Sequence, residues 1–140
     1  MVNNKIILNK NPPVKRGIFY LYLIAVFFSF PFSGITQAVI KFTESKKSFG
    51  FVQKGEIVSI DYEFVNNGNE PLIITDAKFE CSCTGVDYPK QPIPPSQTSK
   101  ITVKFDTKNA YDRQDRIVEI ISNASNSPAK VRFKGFVKRK

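Results

Sequence analysis

From residue 39 onward, apolar and polar residues alternate in short runs that are separated by turn residues. A period of two is typical of β-strands with one face on a core and the other in water. It is clearest over residues 57–64 and 100–106, and it returns over residues 130–138 with basic residues in the polar positions. Weaker segments of the same kind lie at 39–42, 49–52 and 72–79.

Two segments depart from this alternation. Residues 116–122 are nearly continuously apolar around Glu119, which predicts a central strand covered on both faces. Residues 89–96 are too rich in proline for regular structure and predict a long surface crossover. Because no helical period occurs after the N-terminal segment, we predict an all-β chain that forms an immunoglobulin-like β-sandwich of about seven strands.

The first 38 residues have the layout of a secretory signal peptide. An uncharged apolar run extends from Ile18 to Phe32, and as a helix it would span about 22 Å, less than the ~30 Å hydrocarbon layer. Four basic residues and no acidic residue precede it, namely Lys5, Lys10, Lys15 and Arg16. The alternative is an uncleaved N-terminal membrane anchor.

The small residues after this run suggest where the segment is removed. Cleavage after Ala38 is the first expectation, and cleavage after Gly34 is the second. We therefore predict a signal peptide at 1–38 and one sandwich domain at 39–140. The expected location is the periplasm or the exterior, with a membrane-anchored form if cleavage does not occur.

The formal net charge is +9, and removing the four basic residues of the leader leaves +5. The domain is thus moderately basic, and export makes nucleic acid an unsuitable partner. An anionic envelope surface fits better. The membrane itself is expected to be contacted only transiently, through the N-terminal segment.

Both cysteines of the chain lie in one short motif, Cys81-Ser82-Cys83. In an extended strand their Cα atoms would be about 6.7 Å apart, so a disulfide requires a kink at Ser82. The pair could be structural, as buried thiols or a local bridge. It could also be a redox couple, or two thiolates that bind copper(I) or zinc, although the chain has no histidine to complete a zinc site.

The absence of histidine also excludes histidine-based triads, so no catalytic residue is assigned and no cofactor is expected. Asp61 and Glu63 share one strand face, which we interpret as a solvated outer face rather than an acid–base pair. The last strand carries a basic stripe that could bind an anionic surface or protect an exposed sheet edge. The stripe consists of Lys130, Arg132, Lys134 and Lys138.

Several motifs resemble the secreted bacterial family called domain of unknown function 1573. They cover nearly the whole region after residue 48 and are Phe49-Gly50-Phe51-Val52, Gly55-Glu56, Phe64-Val65-Asn66-Asn67-Gly68, Pro71-Leu72-Ile73-Ile74, Cys81-Ser82-Cys83-Thr84, Ile93-Pro94-Pro95, Ile101–Thr107, Ser122-Asn123 and Lys134-Gly135-Phe136-Val137. The resemblance implies an immunoglobulin-like sandwich similar to cilia-associated and major-sperm-protein-like scaffolds. It implies export, chiefly by Bacteroidetes-type bacteria, and no established activity.

The chain differs from this family at three positions where the family has glycine. Ser82 lies between the cysteines, Ser96 follows the proline pair, and Asp112 lies in the turn before the penultimate strand. Asp112 can adopt a left-handed turn at some cost, whereas Ser82 resists the φ values that glycine would lend to a tight ring. The difference weakens a redox role for the cysteines.

The resulting hypothesis is an exported binding or structural module of the cell envelope without enzymatic activity. Its expected partner is another envelope protein, bound through a sheet edge or loops. The alternative is a thiol redox or copper(I)-binding protein that uses Cys81 and Cys83.

Overall fold

The structure is a computed structural model that describes residues 36–139. These residues form eight strands: β1 (Ile40–Phe42), β2 (Lys46–Gln53), β3 (Ile57–Asn66), β4 (Ile74–Phe79), β5 (Thr84–Asp87), β6 (Thr98–Asp106), β7 (Asp112–Ser122) and β8 (Ala129–Lys138). The described residues contain no helix that could cross a membrane. Positions 1–35 of the predicted signal segment lie outside the described residues.

The strands form two four-stranded sheets. The first sheet has the order β1-β3-β6-β5, and the second has the order β2-β8-β7-β4. Neighbouring strands are antiparallel except for β2 and β8, which are parallel. The predicted all-β sandwich is confirmed, with one strand more than expected.

The core lies between the sheets and consists of the apolar positions of the alternating segments, as predicted. Its largest fully buried side chains include Tyr62, Phe64, Ile101, Val103, Phe105, Val118, Ile120, Val131 and Phe133. The Tyr62 hydroxyl donates a hydrogen bond to the Arg132 carbonyl at 2.9 Å and so links the two sheets. Burial raises the pKa of Tyr62, so the hydroxyl keeps its proton and remains a donor.

A β-bulge in β2 determines which aromatic side chains face the core. The register with β8 shifts between Ser48 and Gly50, and Gly50 has a φ of 70°, which suits glycine. Phe49 consequently packs against the core and lies directly over Gly135 of β8, where an added Cβ would overlap the ring. Phe51, two residues further along, is on the outer face.

Two elements escaped the sequence prediction. Strand β5 has four residues, one of them a glycine, and pairs only with β6, so it has no run of alternation to recognise. The proline-rich crossover is also not purely a surface segment, because Ile93 is buried and exchanges backbone hydrogen bonds with Leu72 at 2.8 and 2.9 Å. These hydrogen bonds fix the crossover to the residues just before β4.

The prediction for residues 116–122 was partly wrong. They lie in β7, which is an inner strand of its sheet as predicted. However, Ile117 is 42% exposed because no further layer covers the outer face of this sheet in the described part of the chain. The apolar run therefore places a large apolar side chain in solvent.

Two of the three glycine replacements lie at left-handed backbone positions. Ser96 has a φ of 63° and Asp112 has a φ of 60°, whereas Ser82 has no positive φ. The Ser96 N–H donates to the Asn66 carbonyl at 2.8 Å, and the Asp112 carboxylate pairs with Arg139. These contacts offset part of the cost of a left-handed residue that is not glycine.

The residues just before β1 belong to the folded domain. Ala38 is buried in the core cluster. Gln37 exchanges two hydrogen bonds with Asn69, at 3.0 and 3.2 Å, and the Asn67 N–H donates to the Val39 carbonyl at 2.8 Å. Packing thus begins before residue 39, where the domain was predicted to begin.

Candidate functional site

Cys81 and Cys83 lie in a tight turn at the corner where the chain leaves β4 in one sheet and enters β5 in the other. They form a disulfide, with Cα atoms 5.2 Å apart. The Thr84 N–H donates to the Cys81 carbonyl at 3.1 Å and closes the turn. The Cys83 carbonyl accepts from the Asp106 N–H at 2.8 Å, which ties the turn to β6. The kink that a bridge requires is therefore present.

In this bonded form the two sulfurs are not thiolates, and the thiolate is the metal ligand and the nucleophile. The disulfide would have to be reduced before it could bind copper(I). Among residues 36–139, no group of three or more His, Cys, Asp or Glu side chains could hold a metal ion. The contacts of the pair are those of a covalent link at a corner of the sandwich.

We expect the double substitution Cys81→Ser, Cys83→Ser to leave the domain folded and to lower its free energy of unfolding by about 1–2 kcal/mol, since the bond closes only a very short loop. Urea unfolding followed by circular dichroism would measure the change, with the reduced wild type as the control. A variant with the spectrum of an unfolded chain would show instead that the link is essential.

Asp61 and Glu63 lie on the outer face of the first sheet, as predicted. The Thr102 hydroxyl and the Lys100 ammonium donate to the Asp61 carboxylate at 2.6 and 2.9 Å. The hydrogen bond from Thr102 contributes most to lowering the pKa of Asp61, and the hydrogen bond from Lys100 contributes next. A carboxylate held ionised on an open face is unsuited to donate a proton, so these residues form a solvated charge cluster.

The predicted basic stripe lies on the outer face of β8, but β8 is not an edge strand because β2 and β7 flank it. The interpretation that these residues protect an edge was therefore wrong. Lys130 and Arg132 are paired with acidic side chains of β7 at 2.9 and 2.5 Å. In the part of the chain that the structure describes, Lys134 and Lys138 form no salt bridge.

The register aligns the outer-face residues in rows across β2, β8 and β7. One row holds Phe51, Phe136 and Arg113, the next holds Ser48, Lys134 and Asp115, and the third holds Lys46, Arg132 and Ile117. Phe51 is 73% exposed and Phe136 is 37% exposed. Their ring centroids are 5.7 Å apart. We call these two side chains the outer aromatic pair.

Four cationic side chains lie on the same outer face as this pair, and we call them the basic patch: Lys46, Arg113, Arg132 and Lys134. Together with Asp115 and Lys47, they line a depression of about 250 Å³. Lys47 comes from the opposite face of β2, and its ammonium lies 5.7 Å from the centroid of the Tyr62 ring. Arg113 and Lys134 also line an adjoining depression of about 330 Å³ that contains the outer aromatic pair. Hydrogen bonding to Arg132 lowers the pKa of Asp115, so that carboxylate stays ionised and neutralises one of the four cations.

A second concave region lies among loops at one end of the sandwich, with a volume of about 630 Å³. It is lined by Lys54, Gly55, Lys108, Tyr111 and Arg139. The Arg139 guanidinium already pairs with Asp112 and lies 5.0 Å from the centroid of the Tyr111 ring. The cleft contains one exposed aromatic ring, whereas the sheet face contains two that contact each other, so the sheet face is the stronger candidate.

Sequence reasoning found only part of the outer surface. It identified Arg132 and Lys134, but it missed Lys46, Phe51, Arg113 and Phe136. One signal was available, since Phe136 occupies a polar position of the last strand, between Lys134 and Lys138. The contribution of β2 could not be foreseen because it depends on the bulge and on the parallel pairing with β8.

Solved structures with the same architecture share little sequence with this chain. A protein of unknown function from Porphyromonas gingivalis W83 has a TM-score of 0.64 at 18% identity, over 77% of this chain and 51% of that one. The chain thus spans about half the length of that protein. The ASH / PapD-like domain 7 of human CEP192 has a TM-score of 0.56 at 8% identity, over 79% of this chain and 94% of that one. The Vibrio cholerae VesB protease has a TM-score of 0.53 at 13% identity, over 86% of this chain and 35% of that one.

At these identities the likeness shows the fold alone. No curated protein sequence matches the chain significantly. The family model described as "Protein of unknown function (DUF1573)" matches residues 40–137, which confirms the resemblance inferred from the motifs. That match covers most of the chain, which therefore belongs to this family.

Proposed function

We propose that the protein is an exported, non-enzymatic binding module of the bacterial cell envelope, and that it binds through the outer face of the second sheet. The observation that carries the proposal is the outer aromatic pair. Phe51 and Phe136 contact each other in solvent, on a face that no other layer covers in the described part of the chain.

These two rings lie outside the hydrophobic core. The core between the sheets is closed by other side chains, including Phe49, Phe105 and Phe133, whose ring centroids are 5.4 to 6.3 Å apart. Exposed aromatic residues next to arginine are typical of interface centres, because their burial releases a large apolar area. The pair is therefore better explained by binding than by stability.

A binding role also suits the chemistry of the chain. The sequence has no histidine, and the acidic residues Asp61 and Asp115 are paired with cations on open surfaces. A general acid or base needs a tuned pKa within reach of a substrate in a sheltered site. Asp61 and Asp115 have the opposite character, since hydrogen bonds lower the pKa of each.

For export, we place cleavage between Gly34 and Ile35, the second of the two positions expected from the sequence. A cut after Ala38 would remove a buried side chain and the hydrogen bonds between Gln37 and Asn69. A cut after Gly34 leaves all of these contacts in the mature protein.

The test is to produce the full chain in a bacterium and to separate the soluble exported fraction from the envelope. The intact mass of the protein in each fraction is then measured by mass spectrometry. We expect the wild type to sediment with the envelope. Its intact mass should correspond to a chain that begins at Ile35. The variant Phe51→Ser, Phe136→Ser should move to the soluble exported fraction. The matched control is Ile57→Ser on the first sheet, where the side chain is 68% exposed, and it should behave like the wild type.

Equal retention of the wild type and the double variant would contradict binding through this face. A mass that still includes residues 1–34 would contradict processing, and the protein would then be held by its N-terminal segment.

A further inference from the structure

We propose that the surface bound by the outer aromatic pair and the basic patch is an anionic phospholipid membrane. This inference rests on the proposed function and names the partner of the same face. It extends the expected membrane contact from the N-terminal segment to the folded domain.

The first argument is charge. On this face, the four cations of the basic patch and the Asp115 carboxylate leave a net charge of +3. Arg132 and Asp115 neutralise each other, whereas Lys46, Arg113 and Lys134 form no salt bridge among the described residues. The outer face of the first sheet differs, because Lys100 and Lys104 are paired with Asp61 and Asp87 at 2.9 and 2.6 Å. Only one side of the sandwich therefore attracts anions strongly.

The same charge excludes a second copy of this chain as the partner. Two copies joined face to face would bring two net charges of +3 together, and like charges desolvated in an interface are strongly unfavourable. The partner must present negative charge at this face.

The second argument is shape. The cations come from β2, β7 and β8 and are spread in two dimensions across the sheet. The two depressions on this face hold about 250 and 330 Å³ and share Arg113 and Lys134, so the cations and the rings form one continuous surface. A broad anionic plane contacts side chains spread in this way simultaneously.

The third argument is the position of the aromatic rings. Phe51 and Phe136 share a row with Arg113, and Lys134 lies in the adjacent row. When these cations reach the headgroups, the rings are brought to the boundary between headgroups and acyl chains, where an apolar side chain is favoured. Attraction to anionic lipids and burial of the rings then act together.

The sequence offers a direct reporter, since it contains no tryptophan. In Phe51→Trp, position 51 carries the only tryptophan. We expect its emission to shift to the blue when vesicles of phosphatidylglycerol and phosphatidylethanolamine are added, and to be quenched when brominated lipids replace the ordinary ones. Phosphatidylcholine vesicles should have little effect. The matched control is Ile57→Trp on the first sheet, which should not respond even if the N-terminal segment is inserted.

Charge reversal tests the electrostatic part. One basic side chain near an anionic surface contributes about 1 kcal/mol, and Lys134→Glu changes the charge by two, which corresponds to about 2 kcal/mol. In the Phe51→Trp background, this substitution should therefore raise the lipid concentration for the half-maximal emission shift by about 30-fold. Lys41→Glu changes the net charge equally on the first sheet, where Lys41 is exposed, and should change this concentration little. Added salt should weaken the emission shift of the Phe51→Trp protein and bring it closer to the shift seen when Lys134→Glu is also present.

The outcomes separate this inference from the proposed function. If envelope retention depends on Phe51 and Phe136 but the fluorescence of Phe51→Trp ignores anionic vesicles, the partner is an acidic protein and the lipid inference is wrong. A Phe51→Trp response that is equal for neutral and anionic vesicles, or equal to the response of Ile57→Trp, would also overturn it. If neither retention nor fluorescence depends on this face, both proposals fail.

Discussion

Asn66→Ala is expected to lower the free energy of unfolding by about 3–5 kcal/mol, because several buried hydrogen-bonding groups lose their partner at once. Asn66 is fully buried at the end of β3. Its side-chain N–H groups donate to the carbonyls of Glu70 and Ile93 at 2.7 and 2.9 Å. Its side-chain oxygen accepts from the N–H groups of Gly68 and Val39 at 3.1 and 3.4 Å. The backbone N–H and carbonyl pair with Gln97 and Ser96 as well.

One amide thus joins three segments that are distant in sequence: the start of β1, the turn after β3 and the proline-rich crossover. Urea unfolding of Asn66→Ala would measure the loss. The matched control is Asn67→Ala, whose exposed side chain should change stability by about 0.5 kcal/mol or less. Equal effects of the two substitutions would show that the buried amide has no special role.

Asn66→Asp makes the same argument sensitive to pH. A carboxylate at this position would face the carbonyl oxygens of Glu70 and Ile93, and its burial would raise its pKa in the folded state above the ordinary value of about 4. The folded variant then binds a proton more readily than the unfolded chain. Its stability should consequently fall as the pH rises from about 4, and recover on acidification, relative to the wild type.

The sequence predicted the parts of the fold that depend on local periodicity. Strands β3 and β6 bury every second residue, and an alternating pattern contains that information directly. It did not predict β5 or the pairing of Leu72 with Ile93, because these elements are stabilised by neighbours that are distant in sequence.

The candidate site was harder to predict for a related reason. The basic character of β8 is visible in the sequence, but the position of β8 within the sheet is not, and edge protection was therefore inferred wrongly. The outer aromatic pair depends on a bulge that reverses the face of Phe51 relative to Phe49. Strict alternation would have placed both rings on one side.

Gly135→Ala should lower the free energy of unfolding by about 2–3 kcal/mol, although it adds only one methyl group. The new Cβ would overlap the ring of Phe49, which packs against Phe105 and Phe133 with centroid distances of 6.0 and 6.3 Å. Phe49 packs against the core at this point, so the overlap requires either that its ring shifts or that β2 moves away from β8. Both responses disturb the strand that presents Phe51.

Two further measurements distinguish this mechanism from a general intolerance of alanine at position 135. In a Phe49→Ala background the overlap is absent, so adding Gly135→Ala should cost less than about 0.5 kcal/mol, and the double-mutant cycle should give a coupling of about 2 kcal/mol. Gly135→Ala alone, in the Phe51→Trp protein, should also weaken the response to anionic vesicles, because β2 presents both Phe51 and Lys46. An additive cycle would show that the close approach of Phe49 to Gly135 does not hold β2 in place.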